Sequence, residues 1–132
     1  MKLLLDTHAF LWWLEGNERL PMLCRERIGD PETTVYVSAA SAWEICTKVR
    51  LGKLPGAASV AEDVLSCLRS QAFLPLDIAV AHAQRAGRLP GPHRDPFDRM
   101  LVAQALCLDI PIVTNERLFE AWGVRRVWEG AG

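Results

Sequence analysis

Five carboxylates in this 132-residue chain stand where they could do chemistry: Asp6, Glu44, Asp95, Asp98 and Glu116. The densest stretch is HRDPFDRMLVAQAL, His93 to Leu106, where a loop broken by Gly91 and Pro92 offers Asp95 and Asp98 and runs on as an almost wholly apolar segment. No CxxC pair and no HxxxH spacing accompanies these acids. An oxygen-only set of this kind suits Mg²⁺ or Mn²⁺ rather than zinc. Carboxylates packed together raise one another's pKa, so a cation is needed to keep them charged. That cation can lower the pKa of water and polarise a phosphodiester.

Each acid also has a plainer reading. Asp6 is a favoured residue for capping the helix that follows it. Glu44 stands four before Lys48, a helical ion-pair spacing that by itself describes a solvated pair. Asp95-Pro96-Phe97-Asp98 has Asp, Pro and acid at the positions of a helix cap, first turn and capping box. Capping accounts for Asp95. Asp98 is different, because Val102 and Ala105 continue its stripe toward the interior, and an inward acid is costly unless paired or bound to a metal. Glu116 reads equally as a first-turn acid and as a ligand. His8 and His93 lie beside candidate acids and could touch substrate, whereas His82 reads as helix surface. Trp12 and Trp13 read as core or subunit interface rather than a base-stacking platform.

The elements that must position these residues alternate. Strands are expected at Lys2–Leu5, Thr34–Val37, Phe73–Leu76, Ile110–Thr114 and Val124–Trp128. Pro75 makes the third short or peripheral. Helices are expected at Thr7–Glu15, Pro21–Ile28, Ser38–Leu51, Val60–Gln71, Ile78–Arg88, Phe97–Leu108 and, briefly, Glu116–Trp122, with a Pro/Gly linker at Leu54–Ser59. Strands separated by helices mean an α/β fold with a mostly parallel sheet covered on both faces. In such sheets sites form beyond the carboxyl ends of the strands, an edge that most of the five acids can reach. Residues 1–129 read as one domain, with 130–132 a loose tail.

Composition sets the remaining bounds. Hydrophobic residues make up 50% and charged residues 23%, the balance of a globular protein. No apolar run approaches the roughly 18 residues of a membrane span. Asp6 and His8 interrupt the apolar opening, which argues against a secretion signal and for a cytoplasmic protein. Cys24, Cys46, Cys67 and Cys107 stand singly in apolar helical patterns and read as reduced, buried thiols. A net charge of −1 gives no global field for nucleic acid, so any RNA must be held by a local patch.

With its residues in this order the chain resembles a PIN-domain nuclease, and more narrowly a VapC-type toxin of a bacterial toxin–antitoxin pair. The segments that carry the likeness are LLLDTHAFLWWL, VSAASAWEICTKVRLGKL, HRDPFDRMLVAQAL and IVTNERLF. The resemblance implies an α/β/α sandwich, Mg²⁺- or Mn²⁺-dependent endoribonuclease activity, a homodimer, and a cognate antitoxin that blocks the site. It places the family's first three acids on Asp6, Glu44 and Asp98, and its fourth, usually Asp, on Glu116. Asp95 matches the extra acid of the DPFDR form, and Ser38 and Thr114 match supporting polar positions. The added methylene of Glu116 changes ligand reach and bears on a second metal position.

The reading is hydrolysis of RNA phosphodiesters, with Asp6, Glu44 and Asp98 holding the ion and Asp95 and Glu116 auxiliary. Arg94, Arg99 and Arg88 are the candidate phosphate ligands, since arginine suits that geometry. One rival, a haloacid-dehalogenase-like Mg²⁺-dependent phosphohydrolase, wants a second Asp where this chain has His8. A second rival is an interaction domain that keeps the PIN-like fold without its metal chemistry.

Overall fold

Leu3, Leu4 and Leu5 are all fully buried. Successive side chains of a strand point to opposite faces, so a strand with no exposed face must lie in a sheet covered on both sides. The computed structural model, which describes residues 1–128, has that arrangement. Its strands are β1 (Lys2–Leu5), β2 (Thr34–Ser38), β3 (Leu74–Leu76), β4 (Ile112–Val113) and β5 (Arg126–Val127). Its helices are α1 (Thr7–Glu15), α2 (Met22–Gly29), α3 (Ala39–Arg50), α4 (Ala58–Glu62), α5 (Val64–Ser70), α6 (Val80–Arg88) and α7 (Pro96–Leu108). Turns of 3₁₀ helix occupy Pro55–Ala57 and Arg117–Trp122.

The sheet order is β3-β2-β1-β4-β5, and every pairing is parallel. The chain lays β1, β2 and β3 outward in one direction, then returns through α6 and α7 to place β4 and β5 on the other side of β1. Two apolar clusters cover the two faces. Leu3 and Leu5 pack with Phe10, Cys24, Ile28 and Ile45. Leu4 packs on the other face with Leu101, Val102, Ala105 and Ile112. The result is the expected three-layer α/β/α sandwich. Pro75, which cannot donate to a ladder, lies on the edge strand β3 opposite Val37.

Some local expectations need correction. The helix expected over Val60–Gln71 is two helices, broken at Asp63. That residue turns extended (φ −157°, ψ 82°) and its carboxylate caps α5 by accepting from the Ser66 N–H. Paired strand is shorter than expected at both β4 and β5. Pro111 has no N–H to give, although its carbonyl still accepts from Leu4 at 3.0 Å.

The cysteines are not uniformly buried. Cys24 is buried and Cys67 partly so, but Cys46 and Cys107 are exposed. On α3 the buried residues are Ala40, Ser41, Glu44 and Ile45, and on α7 they run from Leu101 to Ala105, so both exposed thiols fall off the apolar stripe. His82 is more than helix surface: its Nδ1 accepts from the Ala79 N–H at 3.0 Å and lies 3.3 Å from Gln104 Nε2. The expected tail, 130–132, lies outside the described residues. Among the described residues no helix is long and apolar enough to cross a membrane.

Candidate functional site

In an open parallel sheet the crevice forms at the carboxyl ends of two neighbouring strands whose connections depart in opposite directions. Here those strands are β1 and β4. Leu5 and Val113 are partners in register, so the next residues, Asp6 and Thr114, sit side by side at the sheet edge. A cleft of about 310 Å³ opens there, lined by all five candidate acids, Asp6, Glu44, Asp95, Asp98 and Glu116.

Asp6 is the buried centre of the cleft. It caps α1, its Oδ1 accepting from the Ala9 N–H at 2.7 Å. Loss of hydration pushes its carboxyl up to about 6, against the opposing effects of the Thr114 hydroxyl bond, the Ala9 N–H and the His8 charge; the Asp98 charge adds to the rise. Capping and a place in the site are therefore not alternatives for Asp6: one oxygen caps, and the residue faces the cleft.

Glu44 is only 4% exposed, which overturns the solvated-pair reading of its spacing to Lys48. Its Oε1 accepts from the Thr7 hydroxyl at 2.6 Å, and its Oε2 accepts from the Lys48 ammonium. Thr7 Oγ1 lies 3.0 Å from Ser41 Oγ as well. This buried knot ties α1 to α3. Burial works against the charge on Lys48, but the bond and charge of Glu44, with Asp95 and Asp98 beyond, carry its pKa above the ordinary lysine value.

Asp95 and Asp98 divide as the sequence suggests. Asp95 caps α7, its Oδ1 accepting from the N–H groups of Phe97 (2.9 Å) and Asp98 (3.1 Å). Asp98 does not return to the cap. Its Oδ2 lies 3.0 Å from Nε2 of His93, and a carboxylate can only accept, so that nitrogen carries the hydrogen. Burial raises the Asp98 pKa; the His93 bond opposes this, and the charges of Asp95 and Glu44 add to it. Glu116 caps the Arg117–Trp122 turn, its Oε1 accepting from the Leu118 N–H at 3.1 Å, and lines the cleft too.

The three arginines do not line this cleft. Arg99 is turned the other way: it donates to the carbonyls of Ala86 (3.1 Å), His93 (2.8 Å) and Leu89, and its guanidinium lies 5.6 Å from the Trp122 ring centre. Arg88 and Arg94 are exposed elsewhere. Ser38 is also turned away, donating to Gln104 Oε1 at 2.5 Å while accepting from the Ala40 N–H.

Sequence reasoning gave no site role to Lys48, Thr7, Asn115 or Phe119, and set Trp12 aside as core or subunit interface. All five line the cleft. Trp12 does both, packing against the core cluster and tilting over His8 with ring centres 5.8 Å apart. Lys48 was within reach of the sequence, since its i,i+4 spacing to Glu44 was visible and only the burial of the pair was not.

The donor set fits a hard divalent ion. Among the described residues five carboxylates and one ammonium line the cleft, and the buried Asp6 is held against ionisation by lost hydration. Among the described residues no three His, Cys, Asp or Glu side chains are arranged to hold a metal together. Carboxylate oxygens of the kind that line the cleft suit an ion that keeps several waters and takes one or two carboxylates directly.

Residues 3–123 match the PIN domain, and the chain belongs to that family. Nearly all of the chain superposes on solved structures at low sequence identity. It covers 97% of its own length and 99% of the matched chain in VapBC2 from Rickettsia felis bound to a DNA fragment of its promoter, at 16% identity and a TM-score of 0.69. VapBC-1 from nontypeable Haemophilus influenzae aligns over 96% and 97% at 14% identity with a TM-score of 0.67. VapC20 from Mycobacterium tuberculosis, a sarcin–ricin loop cleaving toxin, aligns over 96% and 98% at 17% identity with a TM-score of 0.63. No curated protein matches the sequence.

Proposed function

We propose that this PIN domain is a Mg²⁺- or Mn²⁺-dependent endoribonuclease that hydrolyses RNA phosphodiesters in the cytoplasm as the toxin of a toxin–antitoxin pair. The observation that carries the activity is the convergence of Asp6, Glu44 and Asp98, from the end of β1, from α3 and from α7, on one open cleft at the switch point of the sheet. Structural neighbours that are toxins or toxin–antitoxin complexes support the biological role. By the same likeness we infer a homodimer and an antitoxin that covers the cleft.

Asp6, Glu44 and Asp98 hold the ion, directly or through water, with Asp95 and Glu116 auxiliary. A bound divalent ion would supply a lowered pKa for attacking water and withdraw charge from the phosphate. Thr114 and Ala9 fix the Asp6 carboxylate in one orientation, and His93 fixes that of Asp98. His8 and Trp12 form the cleft wall beside Asp6, placed to meet the ribose or base next to the scissile phosphate. Arg88 and Arg94, solvated on neighbouring surface, remain candidates for more distant phosphates. The test is cleavage of single-stranded RNA with Mn²⁺ and with EDTA: the wild type cleaves only with metal, and Asp6→Asn and Asp98→Asn, both folded, do not. Full cleavage by both variants would sink the assignment. Growth arrest on expression alone, relieved by a small protein encoded immediately upstream, tests the toxin role.

One observation favours a second reading. Both oxygens of Glu44 are already engaged by the chain itself, by Thr7 and Lys48. This is what an interaction domain that has lost its metal chemistry would show. Such a domain would bind no Mn²⁺ in a way that depends on Asp6 and Asp98, so titration calorimetry separates the two.

A further inference from the structure

Among the described residues lining the acid cleft, Lys48 is the single lysine or arginine. Its ammonium is bonded to Glu44 Oε2, while Glu44 Oε1 takes the Thr7 hydroxyl. The two partners differ sharply in exposure: the Lys48 side chain is 28% exposed and that of Glu44 5%. Glu44 therefore cannot leave the interior. Lys48 can, because a lysine carries a compact, strongly hydrated charge on a flexible four-carbon stem, and here the charge borders open solvent.

A buried carboxylate without a partner is strongly destabilising, so Glu44 needs some cation whether or not a metal is bound. With Oε1 taken by the Thr7 hydroxyl and Oε2 by the Lys48 ammonium, a divalent ion held by Glu44 would have to compete with a partner already in place.

Resting on the metal-dependent reading above, we propose that Lys48 is the exchangeable counter-ion of the cleft. It holds Glu44 while no divalent ion is bound. When such an ion enters, it releases Glu44 and swings to the solvent side, where its ammonium meets a phosphate of the nucleic acid. The exchange keeps the buried acids compensated in both states and adds a positive charge at the cleft mouth only once the cleft is loaded. No bond is made or broken covalently; one cation replaces another at Glu44 Oε2. This makes Lys48 a competitor of the metal and a ligand of the substrate, two roles that a fixed structural ion pair would not have.

The test is titration calorimetry of the whole protein with Mn²⁺, without RNA. Lys48→Met removes the competing charge, and Mn²⁺ then binds about tenfold more tightly or better. Lys48→Arg keeps the charge and binds as the wild type does. A structural role predicts the opposite sign, since loss of the pair would loosen Glu44 and weaken the metal. Equal or weaker Mn²⁺ binding by Lys48→Met overturns the proposal. A second measurement uses the unaltered chain: the side-chain ¹⁵N resonance of Lys48 moves to the position of a free lysine at saturating Mg²⁺, and a resonance unmoved at saturation overturns the exchange. A wild type that binds no divalent ion removes the metal-dependent reading and this proposal together. Wild-type binding with unchanged affinity in Lys48→Met removes the exchange alone.

Discussion

His93 places its Nε2 3.0 Å from Asp98 Oδ2 while its own backbone carbonyl is held by Arg99 at 2.8 Å. The ring also stands edge-on to Trp122, with centres 5.5 Å apart and planes at 85°. A residue anchored at its ring and at its backbone holds the carboxylate it meets in one orientation. Loss of such a supporting hydrogen bond typically costs roughly 10–100-fold in metal affinity or activity. His93→Ala is therefore expected to lower Mn²⁺-dependent RNA cleavage by about that factor, and His93→Gln, which can still offer an N–H, to recover part of it. Mn²⁺ affinities measured alongside should move in parallel. Indistinguishable Ala and Gln variants would mean that the ring matters for packing and not for orienting Asp98.

Arg99 is the latch of the loop that carries His93. The loop passes through Gly91 at φ +94°, a left-handed conformation that glycine adopts without strain, and its Leu89 and His93 carbonyls converge with that of Ala86 in α6 on one guanidinium. Lysine has no planar fork and cannot bridge them. Hydrogen bonds made by a charged group contribute roughly 1.5–3 kcal/mol each. We expect Arg99→Lys to lose about 2–4 kcal/mol in urea unfolding despite keeping its charge, by the loss of more than one such bond. If Arg99 were a phosphate ligand instead, Lys would preserve stability and most RNA affinity.

The positions of the acids were legible because strand ends and helix starts are local features. Asp6 follows a short apolar run, and Asp95-Pro96 announces a helix; both sit where that reading placed them. Parallel order followed from the alternation of strand and helix, and the edge position of β3 from Pro75. What stayed illegible depends on the path of the chain in three dimensions. Nothing local says that Arg99 turns back onto the Leu89 and His93 carbonyls, that Ser38 spends its hydroxyl on Gln104 sixty-six residues away, or that the Glu44–Lys48 pair is buried. Asp63 was misread for a related reason: it fits a helical pattern on both sides, and only its own extended backbone breaks the helix there.

Glu116 separates capping from charge. Its Oε1 caps the Arg117–Trp122 turn, and a carboxamide oxygen can accept the same bond. Glu116→Gln should therefore leave the thermal midpoint close to that of the wild type. Cleavage should fall by less than about tenfold, the lower bound typical for groups supporting a metal site. A loss as complete as that of Asp6→Asn would move Glu116 from auxiliary group to essential ligand.

Asp6 gives the metal-free protein a pH dependence whose sign follows from its burial. Its pKa in the fold is about 6 against an ordinary 3.8, so the fold favours the protonated form. The stabilising contribution is complete below about pH 4 and is lost as pH rises through about 6, amounting to about 3 kcal/mol across that window. In EDTA, urea unfolding of the wild type should show stability falling between pH 4 and pH 7 relative to Asp6→Asn, which has no proton to lose at that site. Near neutral pH, Asp6→Asn should be the more stable of the two. Mn²⁺ should reverse that order, because it favours the ionised carboxylate in the wild type and has less to hold in the variant. Parallel stability curves in EDTA, or an order that Mn²⁺ leaves unchanged, would show that Asp6 is neither held against ionisation nor relieved by a metal.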